Sequence, residues 1–254
     1  MPLLLFYTLL FFYATALPAQ QQLSAQQLVD SSEFLIYEDM DLVVAKRLNK
    51  KAKQGFKIEN NVEGLAHCAI NAATIWAQKD SFQKSLVLLN KISKKLPASL
   101  FPDSRLLGLF YTSKAWALWG AADYQLAYDN AVQACRILSQ QKNWKRYVNA
   151  SLIATYAIYY NNESDFSRID AHMDSTYHMA LSCLPNSSLA FKYIYQLYGS
   201  ILYQQGRIEK AIHFTHQGLE YEYQLLLLLL DSLFGRETVK QQILAQQITA
   251  DTKT

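Results

Sequence analysis

An internal periodicity of 42 residues constrains this chain more than any other feature. Small residues recur at Ala73, Ala115, Ala157 and Gly199. Four positions before each stand Ala69, Tyr111, Ile153 and Tyr195, and nine after stand Phe82, Tyr124, Phe166 and Ile208, two columns that are mostly large and apolar. Twelve after come Ser85, Ala127, Ile169 and Ala211. Three of these four are small, as required where a second helix crosses the first closely; Ile169 departs from the pattern. Between the columns lie Lys79 to Ser81, Ala122 to Asp123, Asn161 to Asp165 and Gln205 to Arg207, rich in the Asn, Asp, Ser and Gly of helix boundaries. Such a period means one helical hairpin per repeat, each with an apolar face that only a neighbouring repeat can bury. With only 8 Gly and 5 Pro in 254 residues, the chain lacks the punctuation of sheets and long loops. The class expected is all-α.

The segment holding Tyr195, Gly199, Tyr203, Gly206 and Ala211 resembles the core of a tetratricopeptide repeat. It has an aromatic residue four before a small crossing residue, a Gly turn, and an alanine facing back. The resemblance implies a tetratricopeptide-like α-solenoid of about four helical hairpins over residues 63–234, with N-terminal capping helices over 20–62 and a C-terminal helical extension over 235–254. The usual period of that family is about 34 residues, so 42 implies longer helices or longer connections. Pro97, Pro102 and Pro185 fall where a repeat's second helix should stop. Ser31 to Phe34 is a candidate helix start within the cap.

Residues 1–19 form an apolar run without acidic residues, followed by the Gln-rich stretch Gln20 to Gln27. This has the form of a signal peptide, cut after Ala16 or Ala19, and places the chain in the periplasm or outside the cell. Near the other end, Leu225 to Leu230 are six consecutive leucines bounded by Glu220, Glu222 and Asp231. That run is too short to span a bilayer and is expected to be buried against the last repeat or against a second copy of the chain. The stretch Asp231 to Ile243 resembles the junction in bacterial periplasmic tetratricopeptide sensors, where the last repeat leads to a membrane span and a kinase or DNA-binding output. The resemblance covers the repeats and about 20 residues beyond them.

The net charge of +3 comes from 24 basic and 21 acidic residues scattered along the chain, which gives no electrostatic argument for nucleic acid. The densest basic stretch, Lys46 to Lys57, suits a solvated helix face. Cys68, Cys135 and Cys183 are odd in number and irregular in spacing, neither a disulfide framework nor a metal motif. There is no Gly-rich phosphate loop, no His-Glu-x-x-His and no nucleophile elbow, so no enzyme, cofactor or metal is expected. His213 with His216, and Asp170, His172, Asp174 and His178, are the only polar clusters, and a solvated helix face accounts for both.

In the tetratricopeptide family the first helix of each repeat lines a concave groove. Carried onto this chain, that selects Thr74, Gln78, Trp116, Trp119, Asn162, Tyr193, Gln196 and Tyr203, together with His67, Thr112, Ser151, Ile158 and Ser200. The surface is aromatic, rich in amides and nearly uncharged, which suits an extended peptide or protein segment: amides meet its backbone and aromatic rings its apolar side chains. The same Trp and Tyr residues would also serve as inter-repeat core. A homodimeric assembly protein joined through Leu225 to Leu230 is the alternative function.

Overall fold

The computed structural model describes residues 23–39, 41–95, 105–161, 166–185, 188 and 190–234. The signal-like run 1–19, the tail 235–254 and Asn162 lie outside these residues. Among the described residues every regular element is helical and no strand occurs. Helix α1 (Ala25–Phe34) runs into a π-helical turn (Leu35–Asp39) and is followed by α2 (Leu42–Ile58), α3 (Val62–Gln78), α4 (Phe82–Lys95) and α5 (Arg105–Gly120). Then come α6 (Tyr124–Gln140), α7 (Trp144–Asn161), α8 (Phe166–Cys183), α9 (Ala190–Gln204) and α10 (Ile208–Phe234). No helix among the described residues is long and apolar enough to cross a membrane, the leucine run included.

Helix α1 starts earlier than its sequence suggested. Ser24 accepts from the Gln27 amide at 3.1 Å while the Gln27 side chain accepts from the Ser24 amide at 2.9 Å, a reciprocal cap, so Ser31 to Phe34 lie inside the helix. Asp41 and Asn61 cap α2 and α3 through the amides of Val44 and Gly64.

One turn device is used five times. Asn60, Asp80, Ala122, Lys142 and Gly206 all have φ between 52° and 73°. In each turn the next residue's amide donates to a carbonyl five positions back: Asn61 to Phe56, Ser81 to Trp76, Asp123 to Leu118, Asn143 to Leu138 and Arg207 to Leu202. This left-handed helix end satisfies the last carbonyls and reverses the chain within three residues. Neighbouring helices are thereby packed side by side.

The repeat columns form the seams. Ala73, Ala115 and Ala157 are fully buried, as are Ser85, Ala127 and Ile169, while Ala211 is 3% exposed. At Gly199 an added Cβ would lie 2.8 Å from Thr215 Oγ1, which is why the fourth seam needs glycine. The first helices touch in series, α3 on α5, α5 on α7 and α7 on α9, and α4, α6 and α8 each pack between successive first helices. Helix α1 lies against α2 and α3. The basic side chains of α2 are all exposed, as a solvated face requires.

Candidate binding groove

The faces of α3, α5, α7 and α9 that turn away from their paired helices meet the α1 segment at one end and a cavity at the other. At the first end, α1 is gripped by the groove. Asn71 donates to the Val29 carbonyl at 3.2 Å, and Gln78 donates to the Ile36 carbonyl at 3.0 Å. Gln78 therefore meets a backbone carbonyl, as an amide in a peptide groove should, and here the carbonyl belongs to the chain itself.

Glu33 is the centre of this contact. It is 5% exposed, and its carboxylate accepts from Arg146 Nε at 3.0 Å, sits 2.8 Å from His67 Nε2, and pairs with Arg105, which also reaches Asp30 at 3.1 Å. Burial alone would raise its pKa; the hydrogen bond with His67 and the charges of Arg146 and Arg105 outweigh it and hold the carboxyl at about 2. The guanidinium of Arg146 also lies 3.9 Å from the centre of the Tyr37 ring. Asp30, Glu33 and His67 bring their ligand atoms within 4.8 Å of one another. As a donor set they resemble a metal site, yet both Glu33 oxygens already face cationic or hydrogen-bonding groups and two guanidinium groups would repel a metal ion. The arrangement is an ion-pair network tying α1 to α3, α5 and α7. Its directly paired members stand up to 113 residues apart, so no spacing in the sequence marked it.

Beyond Tyr37 the groove opens into a chamber of about 150 Å³. Its walls come from α3 (Thr74, Gln78), α5 (Thr112, Trp116, Trp119), α7 (Asn149, Tyr156) and α9 (Tyr193), closed by Tyr37, Asp80 and Phe82. Trp116 and Trp119 have centroids 5.4 Å apart at 36°, and Trp119 and Tyr156 are 5.4 Å apart at 55°, so the three rings form a curved wall rather than a flat stack. Thr74 donates to the Ile70 carbonyl and pairs with Ser113 Oγ at 2.6 Å, while Thr112 donates to the Gly108 carbonyl. The threonine and serine hydroxyl groups of the wall are thus engaged inside the protein. The indole nitrogens of Trp116 and Trp119 are buried without an acceptor among the described residues.

Five of the residues expected in the groove, Thr74, Gln78, Trp116, Trp119 and Tyr193, converge on this chamber. Thr112 joins them, while His67 belongs to the ion-pair network. Gln196 does not reach it: it is exposed and donates to Glu222 at 3.2 Å. Tyr203, 67% exposed, lies with Ser200 in a separate shallow depression formed with α10. Ser151 faces α8 through Thr176 at 2.6 Å, and Ile158 is core. Both depart from the expected face because α7 is enclosed by α5, α6, α8 and α9, leaving only part of its surface to the groove.

The polar cluster of α8 disperses. Asp170 accepts from Gln205 at 2.7 Å and Arg207 at 3.1 Å, His172 pairs with Thr155 at 3.1 Å, Asp174 pairs with Tyr198, and His178 is exposed. His213 and His216 are exposed on α10. The three cysteines are free; burial pushes the thiols of Cys68 and Cys135 up to about 12. No family model, curated protein or solved structure matches this chain.

Proposed function

We propose that this chain is an exported tetratricopeptide-type scaffold, without enzymatic activity of its own, that binds a peptide or protein segment in the groove formed by α3, α5, α7 and α9. The carrying observation is the chamber itself, a concave aromatic site in which residues from five separate helices and the π-helical turn meet. Amide contacts from Asn71 and Gln78 to the backbone of the α1 segment support the reading, because they are the contacts a bound peptide would use. So do the two indole N–H groups: a buried donor without a partner costs about 1–3 kcal/mol, which a ligand carbonyl brought within reach would restore. The recurrence of buried small residues at every 42nd position supports the solenoid, and the leader-like run 1–19 supports export to the periplasm or medium. A role as the input module of a sensor fits the same features.

The test is selection from a random peptide library displayed on phage, followed by calorimetric titration of enriched peptides. Peptides should bind the native chain and lose affinity by about 10-fold or more on Trp116→Ala, the cost of removing a central aromatic anchor. Gln196→Ala, outside the chamber, should change nothing, and circular dichroism should confirm that both variants are folded. Failure to enrich any peptide, or equal binding by Trp116→Ala, overturns the reading.

A second reading, assembly through α10, is favoured by one observation. Ile208, Ile212, Leu219, Tyr223 and Leu226 are each between 45% and 63% exposed, and their spacing by three, four or seven places them along one face of the helix.

A further inference from the structure

The wall of the chamber has an unusual chemical balance. Six aromatic rings line it, those of Tyr37, Phe82, Trp116, Trp119, Tyr156 and Tyr193, and the one formally charged lining residue is an acid, Asp80. No lysine or arginine is among the lining residues. Arg146 sits against Tyr37 and is paired with Glu33 at 3.0 Å, and Lys192, beside Tyr193, is paired with Glu222 at 3.0 Å. Thr74, Thr112 and Ser113 are engaged within the protein, and Gln78 uses its amide nitrogen on Ile36.

These facts separate the ligand classes that an aromatic chamber can take. A sugar needs several hydrogen-bond partners around its ring, and the threonine and serine hydroxyl groups of the wall are already engaged. A primary ammonium has three N–H donors, each of which would need an acceptor once removed from water. A quaternary ammonium has no N–H and so asks no acceptor of the wall, while its charge is attracted to electron-rich aromatic rings by about 0.5–2 kcal/mol per favourable contact. A cavity of 150 Å³ is also of the size that admits a single benzene-sized group, which a trimethylammonium head resembles. Asp80, exposed at the turn between α3 and α4, adds attraction for a cation approaching from solvent.

We propose that the chamber is a receptor for a quaternary ammonium head, carried either by a small free molecule or by a fully methylated lysine of a bound peptide. The inference rests on the chamber being the binding site and adds the chemistry of what enters it. A precedent for a cation on these rings is Arg146 on Tyr37, 3.9 Å from the ring centre.

The test uses the full native chain and three probes: choline, its neutral carbon isostere 3,3-dimethylbutan-1-ol, and a short peptide carrying trimethyllysine beside the same peptide with unmodified lysine. Binding is read by calorimetry and by tryptophan fluorescence. Choline should bind at least about 10-fold more tightly than the isostere, equivalent to about 1.4 kcal/mol, and Asp80→Asn should weaken it several-fold with reduced salt dependence. Tighter binding of the trimethyllysine peptide than of choline, with unmodified lysine excluded, supports the proposal and assigns the cation to a protein side chain; tight choline with no peptide gain supports it and assigns a free cation. Equal binding of choline and isostere overturns the cation chemistry and leaves an apolar peptide groove standing. If library-selected peptides bind in the chamber while neither choline nor trimethyllysine does, the cation proposal also falls and the groove reading survives. If no probe and no selected peptide binds, both fall together.

Discussion

Replacing Glu33 with Gln removes the charge on which the whole polar end of the groove converges. The size of the effect follows from two independent arguments. Glu33 has a pKa of about 2 in the folded chain against 4.5 for an ordinary Glu carboxyl, a difference that corresponds to about 3 kcal/mol of favourable interaction with the ionised form. Separately, deleting one partner of a buried ion pair typically costs about 3–5 kcal/mol, because the other charge is left in a poor solvent, and Arg146 is only 7% exposed. Arg105 lies nearly half exposed and contributes little to this figure. Glu33→Gln should therefore destabilise the contact between α1 and α3, α5 and α7 by about 3–4 kcal/mol at pH 7.

The pH dependence has a definite sign. A carboxyl whose pKa is lowered by folding stabilises the fold above its unfolded value and loses that contribution as pH falls through its folded value. The native protein should thus lose about 3 kcal/mol between pH 5 and 2 from this group, and the gap between native and Glu33→Gln should close over the same range. Urea denaturation followed by circular dichroism at pH 7 and pH 2.5 measures the gap. Helical arrays need not unfold in one step, so hydrogen exchange of the α1 amides supplies the local readout, with exchange about 100-fold faster in the variant at pH 7. A change below 10-fold there, or a native-to-variant gap as wide at pH 2.5 as at pH 7, would refute the account of Glu33 as a buried, ionised hub.

Three further outcomes are expected. Ala122 holds φ at 62°, a conformation costly for any residue with a Cβ, so Ala122→Gly should stabilise the chain by about 0.5–1 kcal/mol; Gly206→Ala should lose a similar amount, since a Cβ there meets nothing within 4 Å and only the backbone objects. For the assembly reading, light scattering should give twice the mass of one chain for the native protein and the single mass for Leu226→Asp; a native monomer removes that reading.

The parts of this structure legible in the sequence are those whose cause is local or periodic. Ala73, Ala115 and Ala157 mark seams because a helix crossing admits little more than a methyl group, and that constraint repeats with the hairpin. Ile169 broke the pattern by size but not by place, being fully buried at the same register, so the column records position in the seam more faithfully than volume. The turns at Asp80, Ala122 and Gly206 were legible through Asp and Gly in or beside them, whereas those at Asn60 and Lys142, with the same left-handed geometry, were not read from the sequence, and residues 162–165 of the remaining expected turn lie outside the described residues. Helix α1 was misplaced because Ser31 and Glu33 imitate a helix start. Ser32 instead donates to the Ala45 carbonyl, and Glu33 reaches across to α7. Contacts of that kind depend on which faces the stack brings together, and neither composition nor period encodes them.

The sequence also left open whether Trp116 and Trp119 belong to core or groove, and the structure gives both rings core contacts and a place on the chamber wall. Trp116 packs against the cluster around Ala115, Ala131 and Ile153, and Trp119 against Tyr156 and Tyr160, while both rings line the chamber. A ring fixed by core contacts on one edge loses little freedom when a ligand meets its other surface, which is the condition for a preformed site. Tyr37 has a corresponding position at the boundary between the two ends of the groove. On one side it carries Arg146, and through it Glu33 and the helix that Glu33 anchors; on the other it forms part of the chamber wall. The shape of the chamber is therefore set jointly by the repeated hairpins and by the segment that precedes them, so the α1 segment is a structural part of the site and not only a cover for the first hairpin.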